Sequence, residues 1–535
     1  TTLTNCSNSG DISFSSEESS FVGGFIGGFL YMCTQGILNI TNCTEFGSIN
    51  GSSGSGETDE IVGGVIGQVL FEDGEDHYEY EDWVYSNHIT INATVGVTLN
   101  INGGESTIGG VIGNVSSNYY ILDHSISISV TGNQNMEINC NPCVVGGIIG
   151  TVDETVHASV AIMYSNINGL LKVTSGTMDH SAVGGFVGSL VNNSNLKFSI
   201  LNSTNECEVR TKGIDKVGGV IGTVSNSKNV IESATLEVEN VINNGDISSN
   251  DTSIIGGIVG FIFNIETITI TDCSNHGRIT VNNKHGTNSV VGGLFGSFTD
   301  TMNVVISPTI TVRDSTNYGT INVTSSSTMS VGGIIGSIHD SFHARVNLID
   351  TINDGALIIA NTESGQIGGL VGNITNNGDL TIVLSQCTNN AFLNSSSSSS
   401  KKDYEGGFIG QVSGNAKYTL NITDCTNTGA FNSSGRQNYV GGFIGSACRN
   451  RIGTISLKRS TNAGTVSVNM STEKSYLGGG FGSVEQNPSM TLTLDSCVNN
   501  GSVESCDYCD SIIGGFCGFI DLVNDRTQFD FTVTN

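Results

Sequence analysis

The stretch Val22-Gly23-Gly24-Phe25-Ile26-Gly27-Gly28-Phe29 recurs along the whole chain. A leading Gly-Gly pair marks each copy, and fourteen copies occur in 535 residues. The spacing averages about 38 residues, and a regular period of this size is typical of stacked repeat architectures. The sequence therefore predicts a single repeat array over residues 1–535. The Gly-Gly pairs begin at residues 23, 63, 109, 146, 184, 218, 256, 292, 332, 368, 406, 441, 478 and 514.

Each repeat contains two further strand signals that are joined by a short phrase. The phrase reads Asp314-Ser315-Thr316-Asn317-Tyr318-Gly319 in one copy, and alternating runs such as Thr267-Ile268-Thr269-Ile270 come before and after it. Period-two alternation of β-branched residues indicates a strand, and Asn-x-Gly predicts a tight turn with positive φ. No segment of helical length has helical spacing and caps. The predicted fold class is all-β, a parallel β-solenoid or β-helix of Gly-Gly-x-x-Gly repeats.

The Gly-Gly stretch itself is interpreted as one strand, and both of its faces are mostly apolar. Such a strand is expected to be covered on both sides. Glycine inside a strand costs about 0.5–1 kcal/mol relative to alanine, so three glycines per repeat need a reason. We expect other backbone to pass too close for a Cβ atom. Residues 521–535 follow the last copy and are expected to be a cap or a connection to further sequence.

The charge balance limits the classes of partner. Lys and Arg number 20 and Asp and Glu number 49, which gives a net charge of −29. This balance disfavours nucleic acid and anionic membrane surfaces. No apolar run reaches the ~18 residues that indicate a membrane span. The chain starts Thr1-Thr2-Leu3 without Met, which we interpret as the start left by signal-peptide removal.

Sequons indicate the compartment. Asn-x-Ser/Thr sites together with paired cysteines favour a secreted or cell-surface glycoprotein, with N-linked glycans attached to the chain. The candidate glycosylated residues are Asn5, Asn39, Asn42, Asn50, Asn92, Asn114, Asn192, Asn202, Asn250, Asn322, Asn373, Asn394, Asn421, Asn432, Asn469 and Asn500.

The fourteen cysteines include two close pairs. Cys140 with Cys143, and Cys506 with Cys509, each lie a few residues before a Gly-Gly pair, and two small loop-closing disulfides are predicted. A second group of cysteines occupies the position equivalent to Ser315 in the short phrase quoted above, which we call the turn phrase. Within it, Cys6 with Cys43 and Cys387 with Cys425 fall in consecutive repeats. Disulfides across neighbouring coils are one interpretation. The favoured one is a small buried position that accepts Cys, Ser or Thr equally, because Cys273 has no cysteine partner at that phase in either neighbouring repeat.

Acidic residues suggest two alternatives to a purely structural role. Residues 72–83 form a carboxylate-rich segment in which Glu72, Asp73, Glu75 and Asp76 are weak calcium candidates, although a solvated hairpin is favoured. Asp272 and Asp314 share a phase and would stack at about the carboxyl separation of a retaining glycosidase. Asp is also a common turn former there, so structural use is favoured. Phosphate-loop, nucleophile-elbow and zinc-protease motifs are absent, and the chain is not predicted to be an enzyme or to need a cofactor.

The phrase Asn-x-Gly-x-Ile followed by Val-Gly-Gly-Ile-Ile-Gly resembles GLUG-type repeats. Clear copies are Val331-Gly332-Gly333-Ile334-Ile335-Gly336 and Ile367-Gly368-Gly369-Leu370-Val371-Gly372. The resemblance covers nearly the whole chain and implies a β-solenoid stalk or adhesive surface.

These observations give one leading hypothesis for function. The chain is predicted to be an extracellular structural or adhesive glycoprotein, a rigid β-solenoid in a surface coat, stalk or filament. Its expected partners are other copies, end to end, or other surface proteins. The alternative is a glycan-active enzyme or a glycan-binding lectin on a β-helix scaffold.

Overall fold

A computed structural model describes residues 1–16, 19–32, 37–53, 60–72, 87–117, 124–176, 180–226, 234–284, 288–300, 307–361, 363–398, 401–506, 509–521 and 528–534. In these ranges the only regular secondary structure is β-strand. The strands pair in parallel with the equivalent strands of neighbouring repeats. The predicted fold class is confirmed: the protein is a parallel β-solenoid.

The chain divides into two compact units, and both are built from the same repeat. Unit 1 contains Thr1–Thr252 and Val259–Ile268, and unit 2 contains Ser253–Ile258 and Thr269–Asn535. Each repeat supplies strands to a long sheet, a pre-corner strand that ends at the first Gly of the Gly-Gly pair, and a post-corner strand that begins shortly after the pair. The prediction of one array over 1–535 stays a prediction.

The strands of unit 1 fall into these three classes. Its long-sheet strands are Thr2–Thr4, Ser7–Asn8, Ile12–Ser16, Ile37–Glu45, Ser48–Ser53, His88–Val95, Thr98–Asn102, His124–Cys140, Ala158–Met163, Asn166–Ser175, Lys197–Lys212, Thr235–Asn243 and Ile247–Asn250. Its pre-corner strands are Ser20–Gly23, Glu60–Gly63, Ser106–Gly109, Cys143–Gly146, Ala182–Gly184 and Lys216–Gly218. Its post-corner strands are Ile26–Met32, Ile66–Glu72, Ile112–Ser117, Ile149–Asp153, Val187–Val191, Ile221–Ser225 and Val259–Phe263.

Unit 2 contains the same three classes. Its long-sheet strands are Ser274–Asn275, Ile279–Asn283, Thr309–Arg313, Thr316–Asn317, Ile321–Ser325, Arg345–Ile349, Ile352–Asn353, Leu357–Asn361, Leu380–Ser385, Thr388–Asn389, Leu393–Ser397, Lys417–Thr423, Thr426–Asn427, Phe431–Ser434, Ile452–Lys458, Thr461–Asn462, Val466–Met470, Ser489–Asp495, Val498–Asn499, Val503–Ser505 and Gln528–Thr534, with Thr267–Thr271 at the unit boundary. Its pre-corner strands are Ile254–Gly256, Ser289–Gly292, Met329–Gly332, Gly365–Gly368, Lys402–Gly406, Gln437–Gly441, Ser475–Gly478 and Ser511–Gly514. Its post-corner strands are Phe295–Thr299, Ile335–His339, Val371–Thr375, Ile409–Ser413, Ile444–Cys448, Phe481–Glu485 and Cys517–Asp521.

The register places equivalent residues of successive repeats next to each other, as predicted. In unit 1 Gly23 pairs with Gly63, and in unit 2 Gly332 pairs with Gly368. Along the long sheet the inward residues are apolar and the outward residues are polar. In Arg345–Ile349, for example, Val346 and Leu348 are buried while Asn347 faces outward. Burial of each such aliphatic side chain contributes about 1.5–3 kcal/mol.

The prediction of one continuous Gly-Gly strand is wrong. In the first repeat one strand ends at Gly23 and the next begins at Ile26, with a bend between them. The Gly-Gly pair is therefore a corner between two sheets. The expectation that this stretch is covered on both sides is confirmed, because every residue of Met329–Gly332 and of Phe295–Thr299 is buried.

Each of the three glycines at a corner is required by nearby backbone, which confirms that prediction. In the repeat at 332, a Cβ atom on Gly332 would lie within 3.0 Å of the Ile335 carbonyl, three residues later in the same corner. A Cβ on Gly333 would overlap the Gly369 carbonyl of the following coil. A Cβ on Gly336 would lie 2.5 Å from the carbonyl oxygen of Gly296 in the preceding coil. Backbone atoms cannot move aside as a flexible side chain can, so only glycine fits.

The asparagine of Asn-x-Gly forms a buried ladder, and the predicted positive-φ turn at this point is wrong. Asn317 Nδ2 donates to Asn353 Oδ1 at 2.9 Å, and Asn353 Nδ2 donates to Asn389 Oδ1 at 3.0 Å. Asn317 Nδ2 also donates to the Gly319 carbonyl at 3.1 Å. The left-handed residue lies three positions before this asparagine, at Asp314, where φ is 49°. The ladder satisfies buried amide groups that would otherwise be unpaired.

Gly333→Ala is expected to lower the unfolding midpoint, because the new methyl group meets both the Gly369 carbonyl and the Asn353 amide. Overpacking of this kind costs about 1–3 kcal/mol, and more where backbone must shift. Thermal and urea unfolding, followed by circular dichroism, measure the change.

Gly515→Ala is the matched control, because Gly515 occupies the same phase and a Cβ there meets nothing within 4 Å. Equal losses of stability in the two variants would contradict the close-approach explanation.

Candidate functional surface

The sequon asparagines all lie at positions open to solvent, at least in part. None of the sixteen is buried, whereas nineteen other asparagines in the described ranges are buried. Eight are exposed, namely Asn5, Asn42, Asn92, Asn192, Asn202, Asn250, Asn469 and Asn500. The other eight are half-buried, namely Asn39, Asn50, Asn114, Asn322, Asn373, Asn394, Asn421 and Asn432.

Strand alternation explains this sorting. Asn322 stands between Ile321 and Val323, which both point into the core and are fully buried. Successive side chains of a strand point to opposite faces, so the asparagine points outward. Outward asparagines also pair with the next coil, as where Asn240 Nδ2 donates to Asn202 Oδ1 at 2.8 Å. The outer surface is therefore a regular array of hydrogen-bonding groups.

Both predicted cysteine pairs are brought together. Cys140 with Cys143 and Cys506 with Cys509 are each joined as a disulfide, with the Cα atoms 5.3 Å apart in both pairs. Each bond closes a loop of four residues. Cys143 is the first residue of the pre-corner strand Cys143–Gly146, and Cys509 lies two residues before the pre-corner strand Ser511–Gly514.

The cysteines in the turn phrase are free thiols. Cys6, Cys43, Cys387 and Cys425 are all unbonded to another sulfur. The Cys387 N–H donates to Cys425 Sγ at 3.4 Å, and the Cys425 N–H donates in the same way to Ser460 Oγ at 3.2 Å. A thiol and a hydroxyl thus accept the same backbone hydrogen bond at this position. This confirms the favoured interpretation that the position accepts Cys or Ser equally.

The acidic candidates from the sequence are not assembled into a site in the described ranges. Asp73, Glu75 and Asp76, with the side chain of Glu72, lie outside the described residues. Asp272 and Asp314 are exposed and have φ values of 52° and 49°. Asp tolerates this left-handed conformation better than most residues, which explains its presence without a catalytic role. Nowhere in the described part do three or more His, Cys, Asp or Glu side chains form a group that could hold a metal ion.

A buried acidic pair in unit 2 was missed by the sequence analysis. Glu405 occupies the phase that holds Ile367 in the preceding repeat and Val440 in the following one. Its side chain is fully buried and Asp403 is nearly so. Aligning the repeats would have revealed an acid in an apolar column. Ser433 Oγ donates to Glu405 Oε1 at 2.8 Å, and Ser395 Oγ donates to the same oxygen.

Burial dominates the ionisation of this pair. Desolvation raises the pKa of Glu405 to about 7, against hydrogen bonds from Ser395 and Ser433 that lower it, and the nearby Asp403 charge raises it further. Desolvation likewise raises the pKa of Asp403 to about 6, although the Gly365 N–H and the Asn361 amide donate to its carboxylate. Both carboxyls therefore keep their proton to a higher pH in the folded protein than an exposed acid does.

Glu405→Gln is expected to raise the unfolding midpoint at about pH 7.5 and to change it little at about pH 4.5. The unfolded glutamate ionises near its ordinary pKa of 4.5, whereas the folded carboxyl stays protonated up to about 7. Wild-type stability therefore falls as the pH rises between these values, by on the order of a few kcal/mol, and glutamine has no proton to lose.

The unfolding midpoints of the wild type and of Glu405→Gln are measured across this pH range. Glu504→Gln, at an exposed position, is the control. A difference between wild type and Glu405→Gln that stays constant with pH would contradict the raised pKa.

No protein-family model, curated protein or solved structure matches the chain significantly. The resemblance to GLUG-type repeats therefore stays a prediction. In the described residues there is no helix with the length and apolar character that crossing a bilayer requires.

Proposed function

We propose that this chain is an extracellular structural and adhesive glycoprotein, a β-solenoid that forms part of a surface coat, stalk or filament. The observation that carries the proposal is the sorting of asparagines. All sixteen sequon asparagines face solvent at least in part, while ladder asparagines such as Asn317 and Asn353 are buried. Glycan attachment needs an accessible side-chain amide, so this chain presents its sequons on the surface that could carry glycans.

The scaffold also suits a structural role. Each coil is hydrogen-bonded to its neighbours through parallel strands and through side-chain ladders such as Asn427 to Asn462, at 2.7 Å. Repeats of this kind gain stability from every interface between neighbours. Outward ladders of Asn, Ser and Thr, for example Thr428 Oγ1 to Asn390 Oδ1 at 2.6 Å, offer a periodic polar surface to other coat components.

The cysteines agree with an oxidising compartment. Two disulfides close short loops, and structural disulfides persist mainly in secreted and cell-surface proteins. Among the free thiols at the turn phrase, Cys43, Cys273, Cys387 and Cys425 are buried in the core and shielded from oxidants there, whereas Cys6 and Cys497 are partly exposed.

Intact-mass analysis of the protein from its native source, before and after enzymatic removal of N-glycans, tests the proposal. We expect a mass loss, and site mapping by the Asn-to-Asp change should find occupancy concentrated at exposed sequons such as Asn92, Asn250 and Asn469. An Asn469→Gln variant should lose only its own glycopeptide.

Labelling of intact cells with a membrane-impermeant amine reagent is the second measurement, and a soluble cytosolic enzyme is the control. Full protection of the chain from the reagent, together with an unchanged mass after glycan removal, would overturn the proposal.

A further inference from the structure

Unit 2 contains a cleft that is lined by residues in and beside the pre-corner and post-corner strands of four successive repeats. Its volume is about 440 Å³, within the ~300–1,000 Å³ range of small-molecule sites. At the facing positions one earlier repeat of the unit holds Ser330 and Ser337, and the next repeat holds Gln366 and Asn373. Here Tyr404 comes from a pre-corner strand and Gln411 from the post-corner strand of the same repeat.

One side of the cleft is formed by Tyr404, the first ring of an aromatic stack. Tyr404, Tyr439 and Tyr476 occupy equivalent positions in consecutive coils, with ring centroids 5.1 Å and 4.8 Å apart. Tyr439 is fully covered by its neighbours, whereas Tyr404 is half-buried and lines the cleft. Burial raises the pKa of Tyr404 above its ordinary value, so its phenol is neutral and can both donate and accept a hydrogen bond.

The other side of the cleft carries planar polar groups. Gln411 and Glu485 line it, and Glu485 Oε1 has no hydrogen-bond partner. Arg449 is exposed at the edge, where its Nε donates to Gln486 Oε1 at 3.4 Å. Lys402 Nζ lies 4.8 Å from the centroid of the Tyr439 ring. Convergent amide, carboxylate and guanidinium groups beside an aromatic ring are the features of a built polar site.

The chemistry of the lining selects among ligand classes. A ligand ammonium is disfavoured because Lys402 already places its own ammonium over the aromatic stack. A phosphate or other anion is disfavoured by Glu485 and by the net charge of −29. A neutral sugar fits both walls, since its C–H face packs on an aromatic ring and its hydroxyls both donate and accept.

We propose that this cleft binds a neutral saccharide of one or two rings. The ring face packs on Tyr404, one hydroxyl donates to Glu485, and others exchange hydrogen bonds with Gln411 and Arg449. The inference does not depend on the proposed glycosylation, because it concerns recognition of a sugar and not attachment of one.

Saturation-transfer NMR on the full chain tests the site, with methyl glycosides of glucose, galactose, mannose and N-acetylglucosamine and their common disaccharides at about 10 mM. A ligand of about a dozen heavy atoms is expected to bind with a Kd on the order of 1 mM. Tyr404→Ala and Glu485→Gln should each weaken binding about tenfold or more, because they remove the stacking ring and the charged acceptor.

Tyr164→Ala is the matched control, since Tyr164 is an exposed tyrosine in unit 1. Arg449→Ala, at an exposed position, is the second site variant, so that the test stands if Tyr404→Ala fails to fold. Tetramethylammonium and inorganic phosphate serve as competing probes. Binding of either probe without any sugar, silence of the whole panel, or sugar binding unchanged in the site variants would overturn the proposal. The mass of glycan on the chain tests only the proposed function, and the NMR measurement tests only the saccharide site. Either proposal can therefore fail without the other.

Discussion

The close approach of backbone at each Gly-Gly corner is the constraint on which the rest of this structure depends. The second glycine of the pair leaves space for two groups, the carbonyl of the next corner and the side chain of a ladder asparagine. At Gly333 these groups belong to Gly369 and Asn353. A side chain there would push successive coils out of register. Because the carbonyl contact recurs coil after coil, one short motif fixes both the corner and the spacing of coils, and in unit 2 the same glycine also lies against the asparagine ladder.

The ladder shows how such a repeat keeps polar groups in its interior. Asn353 is fully buried, yet its amide donates to Asn389 and its carbonyl accepts from Asn317. Identical residues in register can satisfy one another because an amide carries both a donor and an acceptor. A carboxylate at a similar depth is desolvated by burial and has no donor of its own while ionised, and burial raises the pKa of both Glu405 and Asp403.

The same regularity makes departures from it informative. The facing positions between the pre-corner and post-corner strands hold a buried serine in several repeats, as at Ser297 and Ser337. Where Tyr404 and Gln411 stand instead, a lined cleft appears. The outward face follows another rule, because its asparagines are free of packing demands and can carry sequons. The sequon Asn373 nevertheless occupies the same position in its repeat as the cleft residue Gln411, so surface and cleft share positions of the repeat.

The sequence by itself determined the all-β solenoid, the repeat period, the paired cysteines and the outward sequons, because each follows from spacing and alternation along the chain. It did not reveal that the Gly-Gly stretch bends, or that Asn-x-Gly places an asparagine in a ladder and leaves the left-handed residue at Asp314. The sequence also did not reveal the cleft at Tyr404. These features were decided only by the tertiary structure, because they arise from contacts between residues some 35–42 positions apart in sequence, in neighbouring coils.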